Sequence, residues 1–321
     1  MITEFHAKDY GPLKDVSCKL TPLHAFIGPN DSGKSTLLRG ITYVLNSARG
    51  IGSTFAKGQD WQLGMRLLDG TEYETAHKLA TMPLPDGTPA ETLKWWRQGA
   101  RIVRFDADAL RKPSSLIEEH KALDFVTSRG LGLPGVLDLL NNRADDALRS
   151  ISAGMTTLFP ALARIQLSNI SNSEKQVAAQ LVDGTRIDAT AMSEGILYYL
   201  AYASVRALGG GAVLAVEEPE TGLHPARIAQ VIEILREISK AGTQVIIATH
   251  SPLVINELQP SEVSVVTRKP QTGTIVTPIA DTPAFDRRIK SYALGELWLA
   301  YANGTDEAPL INGGPRETPD R

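Results

Sequence analysis

Four short groups of residues carry chemistry that depends on their spacing. Gly28, Pro29, Asn30, Asp31, Ser32, Gly33, Lys34 and Ser35 match G-x-x-x-x-G-K-[ST]. Glycines let a backbone wrap a phosphate with its N–H groups pointing inward, and a following helix adds its positive end. In such a loop the lysine reaches the β- and γ-phosphates and the hydroxyl after it ligates Mg²⁺. The second group is Glu217 and Glu218, two adjacent carboxylates at the end of the apolar run "AVLAV". Adjacent strand residues point to opposite faces. One carboxylate can then serve Mg²⁺ while the other faces an attacking water as general base. The third is His250, just past "QVIIAT"; a lone histidine there is more often structural than catalytic. The fourth is Ser193-Glu194-Gly195, which taken alone is a helix start capped by Ser193.

The elements that must position these groups are legible around them. Ile2–His6, Val16–Leu20 and Leu23–Ile27 read as short strands. A helix over Ser35–Asn46 follows the glycine-rich turn, with Leu37, Leu38, Ile41, Val44 and Leu45 near one face. Residues 48–110 are harder to read, apart from a strand in "ARIVRFDA" at 100–107. From Ser114 to Leu158 the pattern is mostly helical, and Ile165–Ile187 reads as a strand pair turned at "VDGT". A helix over Gly195–Leu208 and the strand 212–216 come next. An amphipathic helix over Pro225–Lys240 and the strand 244–249 follow, and strand, helix, strand in this order make a right-handed parallel crossover. "VSVVTRKPQTGTIVTPI" reads as a hairpin. Three of the four groups therefore sit where ligands gather in open parallel sheets, at the carboxyl ends of strands.

Composition narrows the classes. The 321 residues are 42% hydrophobic and 21% charged, an ordinary soluble balance, with a net charge of −3. That balance predicts no strong non-specific pull towards DNA or an anionic membrane. The single cysteine, Cys18, excludes an internal disulfide framework and reads as a small strand residue. No apolar run reaches the roughly 18 residues of a membrane span. The N-terminus lacks a signal pattern. A cytoplasmic location is expected.

The ordered set "GPNDSGKST", "MSEG", "VEEPETGLHP" and "ATHSP" resembles the ABC-type ATPase heads of the RecF/SMC-like and OLD-like (overcoming lysogenization defect) branch. "VRFDADALRKPSS" and "LFPALARIQL" are similar to the middle region of stand-alone bacterial members. The resemblance implies an α/β fold: a P-loop NTPase with an ABC-type head, a mostly parallel central sheet, N-terminal antiparallel strands and a mixed helical insertion. It implies a core split over 1–47 and 188–300, an insertion over 48–187 and a loose tail over 301–321. It also implies ATP and Mg²⁺ as cofactors. Gly28 to Thr36, with Asn30, Asp31 and Ser32 among them, would bind ATP, and Ser35 and Glu217 would support the metal. Glu218 would polarise the water and His250 would sense the γ-phosphate. Ser193, Glu194 and Gly195 would reach the nucleotide from a second chain, in a head-to-tail homodimer closed by ATP. The signature "MSEGI" and the Glu-Glu pair differ from the transporter pattern and fit this branch better. The Q-loop is unassigned between Gln59 and Gln62.

OLD proteins often add a TOPRIM nuclease domain, which needs an Asp-x-Asp pair. The sequence after His250 holds none, so intrinsic nuclease activity is not expected. Asp106 and Asp108 read as loop structure rather than a metal site. Trp95 and Trp96 beside Arg97 and Arg101 read as helix core with surface arginine rather than a base-stacking platform. Arg111 and Lys112 are ambiguous. The expected function is an ATP-hydrolysing switch linked to DNA, in repair or anti-phage defence, working with a separate effector. The alternative is an ATP-bound scaffold or inhibitor that holds a toxin-like partner.

Overall fold

The computed structural model describes residues 1–47, 60–76, 85–117, 124–143, 146–282 and 285–302. The first third contains β1 (Ile2–Tyr10), β2 (Leu13–Lys19), β3 (Leu23–Ile27), α1 (Lys34–Ser47), β4 (Gln62–Leu67), β5 (Glu72–Ala76), α2 (Ala90–Arg97) and β6 (Ala100–Val103). The middle contains α3 (Ala107–Arg111), β7 (Ser114–Ser115), α4 (Leu133–Asn142), α5 (Ala147–Leu158), β8 (Leu162–Asn169), β9 (Glu174–Leu181), β10 (Arg186–Asp188) and α6 (Glu194–Leu208). The remainder contains β11 (Val213–Glu217), α7 (Pro225–Lys240), β12 (Gln244–Thr249), α8 (Pro252–Asn256), β13 (Val263–Lys269), β14 (Gly273–Pro278), α9 (Phe285–Arg288) and α10 (Leu294–Ala302).

The chain forms two compact units. The first holds Met1–Ile102, Gly211–Glu218 and the described chain from Ser239; the second holds Val103–Gly210 and Pro219–Ile238. Their limits differ from the expected boundaries at 47 and 188. The described residues between 60 and 102 belong to the first unit, because β4 pairs with β1.

In the first unit a six-stranded sheet runs β14-β13-β3-β12-β11-β6. β11, β12, β3 and β13 are parallel neighbours, and β14 returns antiparallel to β13. Every residue of β3, β11 and β12 is buried, as expected of parallel strands covered on both faces. A four-stranded antiparallel sheet runs β2-β1-β4-β5. Its strands alternate, with Phe5, Ala7, Val16 and Cys18 buried. Burial, and then the charge of Glu4, push the Cys18 thiol up to about 12, so it stays an inert thiol. Between the sheets α1 buries Leu37, Leu38, Ile41, Val44 and Leu45. The same core takes in Trp61, Tyr73 and Trp96, and Trp96 packs edge-on against Tyr73 at 5.0 Å while Arg97 is exposed.

The second unit is built on β8 and β9 with α4, α5 and α6. β9 is shared by β8 on one side and by β10 and β7 on the other. The expected strand pair over 165–187 is thus three strands. "VDGT" turns β9 into β10, and a further turn at 170–173 joins β8 to β9. Lys175 of β9 is ion-paired with the buried Asp138 of α4.

Candidate active site

β3 ends at Ile27 and α1 begins at Lys34, so the glycine-rich loop is the whole connection between a buried strand and a helix. Asp31 and Gly33 take positive φ, +63° and +109°. The β13–β14 hairpin braces the loop from behind. A Cβ on Gly28 would lie 2.1 Å from the Val266 carbonyl oxygen, and one on Gly33 would lie 2.4 Å from the Thr274 hydroxyl. Only glycine fits either place. Thr274 donates its hydroxyl to the Ser32 carbonyl at 2.8 Å, and Arg268 donates to the Asp31 carboxylate at 2.9 Å.

Lys34 is buried and folds back over the loop, donating to the carbonyls of Gly28 and Pro29 at 2.8 Å each. The Ser32 hydroxyl is buried at 1% exposure and has no hydrogen-bond partner among the described residues. Buried polar groups are normally satisfied, so an orphan in a loop this tight marks a place for a polar guest. The first-turn N–H groups of α1, including those of Ser35 and Thr36, have no intrahelical acceptor. A buried ammonium, a stranded hydroxyl and a helix N-terminus together fit a phosphate chain.

Strand register brings the other groups to the same edge. Glu217 lies opposite Ala248, and Ala248 opposite Phe26. Glu218, Thr249 and Ile27 therefore share one level at the carboxyl ends of β11, β12 and β3. Glu217 is buried at 6% exposure and is the last residue of β11. The expected alternation of the two carboxylates is corrected at Glu218. There the backbone turns to φ +48°, which ends the pleat, and its N–H donates to the Ala248 carbonyl at 2.8 Å. This turn delivers the Glu218 carboxylate to His250, with Oε2 2.7 Å from Nδ1. His250 is therefore the partner of Glu218, a link that strand-end reasoning did not contain.

The signature residues belong to the second unit. Ser193 stands at the N-cap of α6 with extended backbone, but its hydroxyl makes no capping bond, which corrects the expected cap. Glu194 opens the helix, 3.9 Å from Arg111. Among the described residues, a Cβ on Gly195 would meet nothing within 4 Å, so their packing does not demand the glycine. Asp106 caps α3 by accepting from the Ala109 N–H and pairs with Arg129 at 2.7 Å. The Arg129 hydrogen bond holds its carboxyl below the usual range. Asp108 pairs with Arg111 at 3.3 Å. Both aspartates thus have local structural partners. Gln62 lies exposed on β4, and Gln59 falls outside the described residues.

Residues 101–256 match the family described as "AAA domain, putative AbiEii toxin, Type IV TA system". The match spans Ser193, Glu217, Glu218 and His250. Protein ea59 of Escherichia phage lambda is 24% identical over 286 residues, which are 82% of this chain and 51% of that protein. The chain thus spans about half the length of that relative. An SMC head bound to the C-winged helix domain of ScpA superposes with a TM-score of 0.55 at 16% identity, covering 86% of this chain and 96% of that one. An SMC head with an extended coiled coil, bound to the C-terminal domain of ScpA derived from Pyrococcus furiosus, gives 0.53 at 15% identity, covering 90% and 98%. The fold is that of an SMC head, α/β with a parallel-rich sheet. No helix among the described residues is long and apolar enough to cross a membrane.

The braces on the loop were not foreseen. Val266, Arg268 and Thr274 lie over 230 residues from the loop they shape, on a hairpin whose sequence carries no signal beyond its turn.

Proposed function

We propose that the chain is an ATP-hydrolysing switch of the RecF/SMC-like and OLD-like branch, closing head to tail with a second copy around ATP and Mg²⁺. The observation that carries this reading is the Glu218–His250 pair at 2.7 Å, on the same sheet edge as the Lys34 loop. Lys34 would exchange the Gly28 and Pro29 carbonyls for phosphate oxygens, and the Ser32 hydroxyl would gain a partner. Ser35 and Glu217 would hold Mg²⁺, which supplies positive charge against the phosphate oxygens. Glu218 would take a proton from the attacking water, while His250 holds its other side and fixes its direction. Ser193, Glu194 and Gly195 would complete the site from the second copy. In this reading the ATPase core is split over 1–47 and 188–300, and the insertion over 48–187 contributes its described residues between 60 and 102 to the first unit.

The setting we propose is DNA-linked, in repair or anti-phage defence, with a separate effector and a cytoplasmic location. The net charge of −3 favours a second reading in one respect, because it disfavours tight binding to bare DNA and leaves room for a protein partner. That partner would be held by an ATP-bound scaffold with slow turnover. The deciding measurement is ATP turnover with and without linear duplex DNA, using Lys34→Ala as the blank. A rate above the blank that rises with DNA supports the switch. A rate at the blank under both conditions rejects it in favour of the scaffold.

A further inference from the structure

His250 is held from two directions. Its Nδ1 faces Glu218, and its backbone carbonyl accepts a hydrogen bond from the indole N–H of Trp298 at 3.2 Å. Trp298 lies on α10, is 4% exposed, and shares its buried face with Leu294 and Leu297. α10 packs on α8, the short helix that starts two residues after His250. Two features bring the helices unusually close. A Cβ on Gly295 would lie 2.2 Å from the Pro252 carbonyl oxygen, and the Gly295 N–H donates to the Asn256 side chain at 2.7 Å. The second bond satisfies a first-turn N–H of α10 that would otherwise lack a partner. Glu296 accepts from the Ala293 N–H at 2.9 Å and fixes the start of the same helix. An isolated helix this short is marginal in water, so these tertiary contacts decide its position.

We propose that α10 is a brace for the catalytic edge and that Trp298 is a positioning residue for His250. The inference rests on the ATPase reading above. Trp298 touches no reacting group; it holds the His250 backbone, so the imidazole keeps its place against Glu218. Displacing α10 then slows turnover while leaving the phosphate loop intact.

The test compares Trp298→Phe, which keeps a ring and removes the donor, with Gly295→Ala, which pushes α10 off Pro252. Leu299→Ala is the control, because Leu299 is 43% exposed on the same helix. Three readouts are needed: the His250 imidazole nitrogen resonances of the nucleotide-free protein, the affinity for N-methylanthraniloyl-ATP, and kcat with its pH profile. Loss of one positioning bond is expected to lower kcat about fivefold and leave affinity within about twofold. The His250 resonances should move in both variants and in neither case with Leu299→Ala. Unmoved resonances in Trp298→Phe overturn the brace, and so does wild-type kcat in a variant whose resonances have moved. A wild-type protein without turnover defeats the ATPase reading instead, and the resonances still decide whether Trp298 sets His250.

Discussion

At Glu218 the backbone enters the left-handed region at φ +48°, which costs a non-glycine residue on the order of 1–3 kcal/mol. The return is direction: the carboxylate leaves the pleat and meets His250 at 2.7 Å, with its side chain only 17% exposed. Glu218→Gln keeps the shape and removes the proton acceptor. Turnover should fall at least about a hundredfold, the usual scale for a general base. ATP affinity should hold, and equilibrium binding beside single-turnover kinetics separates the two. Full turnover in this variant would remove Glu218 from the chemistry.

Among the elements, β3 shows how a strand is tied to its neighbour by one polar side chain. His24 is buried between Thr21 and Ser264, 3.2 Å and 3.1 Å from their hydroxyls. Burial lowers its pKa from 6.5 to about 4. The folded protein thus holds His24 neutral where the unfolded chain is protonated. Between those two values the unfolded state binds more protons, so stability rises with pH and is lost as pH falls from 6.5 towards 4. The loss is roughly 2–3 kcal/mol. Urea unfolding between pH 7.5 and 4.5 should show this slope, flattened in His24→Gln; equal slopes would assign the acid sensitivity elsewhere. Legibility of the elements follows the same physics. β3, α7 and β12 were read with their observed limits, because continuous apolar runs mark the strands and a clean helical face opening on Pro225 marks α7. β4 and β5 were missed: β4 pairs with β1, more than fifty residues upstream, which leaves no local mark, and β5 is held only as the hairpin return of β4. In the site, the loop, the carboxylates and the histidine were legible from residue type. The Glu218–His250 contact was not, because it depends on a positive φ that glutamate rarely adopts.

For the molecule as a whole, the proposed site is incomplete in one copy, since Ser193, Glu194 and Gly195 are to come from another. Glu218→Gln should therefore accumulate as a dimer in ATP and Mg²⁺ and remain monomeric without nucleotide. Sedimentation velocity distinguishes this from a dimer indifferent to ATP, which would disconnect assembly from the site. The two-unit division adds a constraint of its own. The chain passes between its compact units four times, and the first unit draws on both ends of the sequence. Gly28 is pressed against Val266, and Ser32 is tied to Thr274, 242 residues later. A ribosome thus releases the entire phosphate-loop motif long before it makes the wall that shapes it. Until the β13–β14 hairpin emerges, the nascent chain carries the motif as sequence without its geometry, and β3 has both edges unpaired until β12 is made and one until β13 is. The order of synthesis thereby keeps the loop from reaching its final form until β14 has been translated.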